Sequence, residues 1–177
     1  MIKAALVGNP NSGKTTIFNH LSDSSERIGN WAGVTVERKE APLHCHFDCK
    51  NETIFISDLP GSYSMTSVTL DEDVTIQYIK SRHIDVIVNV IDVVSFERSL
   101  EFTLQLLEHK IPMVVVINKM DMAKKNKMDL DPELLASMLN VPVICTQANK
   151  KIGLQAIVDA IVHQKYHCLE QCVGEAV

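Results

Sequence analysis

Eight consecutive residues near the start of the chain limit its architecture more than anything else in it. Gly8-Asn9-Pro10-Asn11-Ser12-Gly13-Lys14-Thr15 fits the spacing G-x-x-x-x-G-K-[ST] at every defined position. The run follows a short apolar stretch, Lys3–Val7, and opens a helix-like one, Thr15–Leu21. That order specifies a strand, a tight loop and a helix, the opening of a parallel β–α–β unit. Gly8 and Gly13 let the backbone curl around an anion, so that successive N–H groups and the helix N-terminus face a β-phosphate. Lys14 adds a cation between β- and γ-phosphates, and the Thr15 hydroxyl can ligate Mg²⁺. Asn9, Pro10, Asn11 and Ser12 make the body of the loop, and Thr16 continues into the helix, so all are counted with the binding residues.

The rest of the chain repeats the same alternation. Lys39–Phe47 and Thr53–Ser57 read as strands around a polar turn, and Asp71–Ser81 as a helix. Asp85–Ile91 and Pro112–Ile117 are Val/Ile-rich buried strands with a helix, Phe96–Glu108, between them. Asp131–Leu139 is a helix entered through an N-cap followed by proline. Val141–Cys145 is a last strand and Leu154–His163 a last helix. Continuous apolar strands separated by helices indicate a mostly parallel sheet covered on both faces. Residues 22–36 and 59–70 read as long irregular segments, which in a compact domain are usually functional. At 177 residues the chain fits one domain. Its net charge of −5, with no basic run, makes it a poor nucleic-acid binder. No apolar stretch reaches the roughly 18–20 residues of a membrane span. Five cysteines suit free thiols in a reducing compartment. Cys45 and Cys49 near His44 and His46, and Cys168 and Cys172 near His163 and His167, have metal-ligating chemistry. Their C-x-x-x-C spacing is looser than that of zinc sites, and ordinary cysteine is the preferred reading.

Three further segments bear on a nucleotide. Asp58-Leu59-Pro60-Gly61 ends the second strand after the glycine loop. There Asp58 can hold Mg²⁺ and the Gly61 N–H can sense a γ-phosphate, whose loss would release the following loop. Asn118-Lys119-Met120-Asp121 follows a buried strand. A carboxylate at Asp121 accepts from guanine N1–H and N2–H₂, a pair that adenine cannot supply. Asn118 should tie this loop to the glycine loop, and the Lys119 stem should cover the base. Thr35 lies in the first irregular stretch, where its hydroxyl would close on Mg²⁺ and the γ-phosphate in the triphosphate state alone.

Together these residues resemble a Ras-like GTPase of the translation-factor class. They are more similar still to the N-terminal cytoplasmic G domain of the FeoB ferrous-iron transporter family. The resemblance rests on Gly8–Asn19, on Gly29–Glu40 with its Asn-Trp-Ala-Gly-Val-Thr-Val-Glu core, and on Asp58–Ser64 with Asp71-Glu72, and it covers residues 2–165. It implies a Ras-like P-loop GTPase fold, α/β, with a mostly parallel six-stranded sheet, one antiparallel strand and helices on both faces. Residues 1–165 would be the GTP-binding domain, and 166–177 the start of a link to a following helical domain absent here. The family implies GTP hydrolysis coupled to Fe²⁺ uptake, on the cytoplasmic face of the bacterial inner membrane. Partners would be GTP or GDP, the transmembrane and helical domains of the parent polypeptide and other copies of the chain, and no nucleic acid. Gly33, Val34 and Thr35 would join the GTP contacts. GTPases usually carry a Ser-Ala-Lys-like stretch after the last strand. Here Gln147 replaces the serine, while Ala148 fits, its N–H aimed at guanine O6. Ser62 stands where Ras-like enzymes carry the water-orienting Gln. In related GTPases an Asn at the place of Asn11 ligates K⁺, which points to K⁺-stimulated hydrolysis with backbone carbonyls near Gly29–Trp31. The catalytic set is then Lys14, Thr35, Asn11 and Gly61, with Mg²⁺ on Thr15, Thr35 and Asp58.

Two alternatives remain beside this GTPase reading. One is a slow module that senses GTP against GDP, and the other a P-loop GTPase of RNA modification or ribosome assembly. Net charge and the Gly29–Glu40 stretch argue against the latter.

Overall fold

The computed structural model describes residues 1–23, 27–30, 37–65, 70–81 and 83–174, with the backbone alone at 27–30, 37–38, 70–73 and 165–174. At its centre lies β1 (Ile2–Val7), paired in parallel with β4 (Ile54–Asp58) on one side and β5 (Val86–Asp92) on the other. β6 (Met113–Asn118) and β7 (Val143–Cys145) continue the parallel array beyond β5. Beyond β4 lie β3 (Glu37–Pro42) and β2 (Arg27–Asn30). β3 alone runs against its neighbours, because residues 43–53 return the chain to β4 as a loop without a crossover helix. The expected six strands with one reversed are present, and the four-residue β2 extends the sheet to seven at its edge.

Successive side chains of a strand point to opposite faces, and β1 shows the consequence. Ile2, Ala4 and Leu6 join one core layer with Ile17, Phe18 and Leu21 of α1 (Lys14–Leu21) and Ile157, Val158 and Ile161 of α6 (Leu154–Gly174). Ala5 and Val7 join the other layer. There they meet Val74 and Ile79 of α2 (Leu70–Lys80), Phe102 and Leu106 of α3 (Phe96–Leu107), and Leu135 of α5 (Pro132–Leu139). Both faces are covered, which is why β5 and β6 read as continuous apolar runs.

The strand expected over Lys39–Phe47 is shorter: β3 ends at Pro42, and the last bond to β4 is Leu43 N donating to Ile54 O at 2.9 Å. His44 N instead donates to Leu21 O at 2.8 Å, carrying the chain over the end of α1. A short helix, α4 (Met120–Lys125), follows β6 directly, and α6 runs past His163 to Gly174. Among the described residues no helix is long and apolar enough to cross a membrane.

Parallel strands β1, β4, β5, β6 and β7 all end on one edge of the sheet. Open α/β sheets bind ligands outside that carboxyl edge. The glycine loop, Asp58–Gly61, Asn118–Asp121 and Thr146–Ala148 leave it after β1, β4, β6 and β7, and the chain leaves β5 through the 3₁₀ turn Val93–Ser95.

Candidate nucleotide-binding site

The glycine loop between β1 and α1 is built as its spacing demands. Gly8 and Gly13 have φ of 138° and 99°. A Cβ at Gly8 would collide with the Val90 carbonyl, and one at Gly13 with the Asn118 amide. Asn11 also sits at positive φ, 63°, a conformation that Asn tolerates better than most residues. Lys14 lies folded into this loop, 7% exposed, donating to Gly8 O at 2.9 Å and Asn9 O at 3.0 Å. Burial pushes its ammonium down from 10.5 to about 8, against the opposing pull of the Asp58 carboxylate. Next to it the Thr15 hydroxyl donates to Asp58 Oδ2 at 2.8 Å. Pro10, Asn11, Lys14, Thr15, Asp58 and Gly61 border one cavity of about 300 Å³.

The loop after β4 packs on this cradle. A Cβ at Gly61 would come within 2.8 Å of Pro10 N, so glycine is required for the close approach. Leu59 N donates to Leu6 O at 3.2 Å and Ser62 N to Gly8 O at 3.2 Å, while Thr75 Oγ1 of α2 reaches Pro60 O at 3.0 Å. Ser62 itself is buried, with its hydroxyl donating to Ser64 O at 2.7 Å.

On the other side, Asn118 joins three loops. Its Nδ2 donates to Ser12 O at 3.0 Å, and its Oδ1 accepts from Thr146 Oγ1 at 3.1 Å and Ala148 N at 3.0 Å. The Ala148 N–H expected to face a base thus donates to Asn118 in this structure. Lys119 stands in left-handed backbone, φ 63°, and its ammonium reaches Asn11 O at 2.8 Å and Asp92 Oδ2 at 2.7 Å. Its stem lies along a second cavity, of about 280 Å³, bordered by Gly13, Thr16, Asn118, Asp121, Met122 and Ala148. Met120 and Asp121 open α4. Gln147 starts the 3₁₀ turn Ala148–Lys150, and its N–H donates to Ile152 O at 3.2 Å.

The structure therefore brings the three motif loops to one edge, with one cavity beside the glycine loop and Asp58–Gly61 and another beside Asn118–Asp121. Gly33, Val34, Thr35 and Trp31 lie outside the described residues. The sequence reading passes over Asp92 and Thr146. Each closes or follows an apolar strand at the ligand-binding edge, and that position was the available signal. The hydroxyl of Thr15 and the carboxylate of Asp58 are hard oxygen donors on adjoining elements, a donor set that fits Mg²⁺. Away from this edge, His44 Nδ1 lies 2.7 Å from His46 Nδ1 and 3.7 Å from Cys45 Sγ. Among the described residues no group of three His, Cys, Asp or Glu side chains is arranged to hold a metal ion. The side chains of Cys168 and Cys172 are not among those described.

A lysine-bearing glycine cradle after β1, an Asp-x-x-Gly loop laid on it and an Asn-Lys-x-Asp loop pinned to it define the P-loop GTPase fold. Within that class the chain belongs to the FeoB family, since residues 2–161 match the family described as Ferrous iron transport protein B. The Fe(2+) transporter FeoB of Escherichia coli (strain K12) is 43% identical over 164 residues, which cover 90% of this chain and 21% of that protein. The Fe(2+) transporter FeoB of Salmonella typhimurium is also 43% identical, over 160 residues, 88% of this chain and 20% of that protein. The chain thus spans about a fifth of the length of these relatives. Among solved structures, a GDP-bound mutant of NFeoB from S. thermophilus superposes with a TM-score of 0.85 at 39% identity, over 93% of this chain and 63% of that one. The cytosolic domain of L. pneumophila FeoB gives 0.84 at 42% identity, over 92% and 68% of the two chains. The G domain of T. maritima FeoB gives 0.83 at 36% identity, over 93% and 98%.

Proposed function

We propose that this chain binds GTP and hydrolyses it to GDP and phosphate, as the nucleotide switch of a ferrous-iron transporter. The observation that carries the reading is the Asn118 side chain. It fixes the phosphate loop, the Asp121 loop and the Thr146–Ala148 loop to one another, so that base selection and phosphate binding share one rigid frame. Asp121, on the rim of the base-side cavity, selects guanine by accepting from N1–H and N2–H₂. Lys14 exchanges its two carbonyl partners for β- and γ-phosphate oxygens and stabilises the charge that grows on the leaving diphosphate. Thr15, Asp58 and Thr35 would hold Mg²⁺, which supplies further neutralisation of the phosphates. The Gly61 N–H faces the γ-phosphate, and a water attacks it in line.

Ser62, the residue directly after Gly61, is not placed to orient that water, because its hydroxyl is buried and bonded to Ser64 O. This supports a contribution from K⁺ at Asn11, which borders the phosphate-side cavity with Lys14 and Thr15. The same observation favours, as a second reading, a module that senses GTP against GDP with slow turnover. Residues 1–165 form the G domain in this proposal. Residues 166–177 begin the link to a helical domain, and the parent polypeptide places the whole at the cytoplasmic face of a membrane, where copies can associate. Phosphate release from GTP in K⁺ and in Na⁺ separates the two readings. The K⁺-stimulated enzyme is at least tenfold faster in K⁺, and Asn11→Ala removes the difference. Equal rates in the two salts, or a K⁺ effect that survives Asn11→Ala, contradict it.

A further inference from the structure

One member of the phosphate loop turns its side chain away from the phosphate cavity. Asn9 is 2% exposed, and its Nδ2 donates to Ser99 Oγ of α3 at 3.0 Å. Ser99 is itself 2% exposed, and its hydroxyl donates a hydrogen bond at 2.9 Å to the carbonyl of Ser95, the N-cap residue of α3 one turn back. A hydroxyl that donates along the helix offers a lone pair in a fixed direction, and the Asn9 amide occupies it. The Asn9 main chain meanwhile serves the loop: its carbonyl accepts from Lys14 Nζ at 3.0 Å and Ser12 N at 3.3 Å. Asn9 is therefore the junction between α3 and the two residues that hold the cradle. Its Oδ1 is buried with no partner among the described residues, so Ser99 provides the only hydrogen bond seen on that side chain there.

We propose that Ser99 is a positioning residue for the phosphate loop: through Asn9 it fixes the loop backbone, whose Asn9 carbonyl accepts from Ser12 N, in the shape that receives an anion. The inference rests on the nucleotide-binding reading above. A second polar tie on the same helix serves as its internal comparison. Thr103 accepts from Asn89 Nδ2 at 2.7 Å and donates to Ser99 O at 2.8 Å, equally buried but joined to β5 and not to the loop. Ser99→Ala leaves the Asn9 amide without its partner, and Thr103→Val does the same to Asn89. Both lower the melting temperature, since each strands a buried donor. Only the first disturbs the cradle.

The test is equilibrium binding of GDP and of a non-hydrolysable GTP analogue to the 177-residue chain and its variants, well below their melting temperatures. Ser99→Ala weakens both nucleotides by the same factor, about five- to tenfold, the scale of one lost hydrogen bond with its orphaned donor. Ser99→Thr, which keeps the hydroxyl, restores affinity. Thr103→Val binds like the wild type although its melting temperature falls. If Ser99→Ala does not fold, the nearly isosteric Ser99→Cys carries the same expectation. Wild-type affinity in the folded Ser99 variant, or equal losses in Ser99→Ala and Thr103→Val, would overturn the proposal. A wild-type chain that binds neither nucleotide would instead overturn the reading on which it rests.

Discussion

Lys14 shows how a single residue can be costly to the fold and indispensable to the site. Its pKa of about 8 in the folded chain lies below the 10.5 of an unperturbed lysine, chiefly because it is buried. The unfolded chain therefore binds the extra proton between those two values, and stability rises with pH across that window. Below pH 8 the cost is fully present, about 3 kcal/mol for a shift of this size. Lys14→Met removes it, so the nucleotide-free variant should be more stable at pH 7 than the wild type, by about 1–3 kcal/mol, yet lose GDP binding. Thermal melts with and without GDP check both halves, and a variant less stable than the wild type without nucleotide contradicts the assignment. The sign is opposite for binding. Phosphates favour the charged ammonium, so the complex keeps its proton to higher pH than the free chain. GDP affinity should be level up to about pH 8 and then fall by as much as tenfold per pH unit, which calorimetric titration across pH 6–10 would show. The motif spacing made the role of Lys14 legible in the sequence. Its burial was not, since that depends on carbonyls of Gly8 and Asn9 turning inward. The same holds for Asn118, whose tie to the glycine loop was expected from the motif. Its two bonds to Thr146 and Ala148 depend on where β7 ends.

At the scale of elements, legibility follows how strongly burial shapes the pattern. β5 and β6 are mostly apolar because helices cover both their faces, with Asn89 the one polar residue inside either run before each ends on Asp92 or Asn118, and their strand character is evident from the sequence. β2 contains Gly29 and Asn30 and lies at the sheet edge, so its Arg-Ile-Gly-Asn sequence offers neither alternation nor an apolar run. α4 is hidden because its first residues are also the last of the Asn-Lys-x-Asp motif, and its start at a left-handed Lys119 is set by the loop and not by a capping side chain. α5 is the contrary case. Asp131 accepts from Glu133 N and Leu134 N, both at 3.0 Å, and Pro132 takes the first helical position. This start was readable from two adjacent residues. Asp131→Ala should cost about 1 kcal/mol of stability, the usual worth of such a cap. GTP turnover should stay unchanged, because α5 packs on β7 away from both cavities. Denaturant unfolding and a rate measurement on the same variant check this. A loss of turnover without a loss of stability would place α5 in the site.

For the molecule as a whole, the site is a property of the sheet. Five parallel strands end together, and each loop that leaves them contributes one part of the site. Length and charge in the sequence indicated one acidic domain without a membrane span. The family shows that such a domain corresponds to about a fifth of relatives that are iron transporters. Asp121 and its surroundings then make a claim about the reaction that can be measured without any other part of the transporter. Phosphate release from GTP and from ATP, at equal concentration, Mg²⁺ present and K⁺ as the salt, tests it most directly. The proposed function predicts turnover of GTP at least about a hundredfold above that of ATP, the discrimination available when an acceptor that the bound base shields from water is left unpaired by the wrong base. Comparable rates for the two nucleotides, or release from neither, would contradict the account.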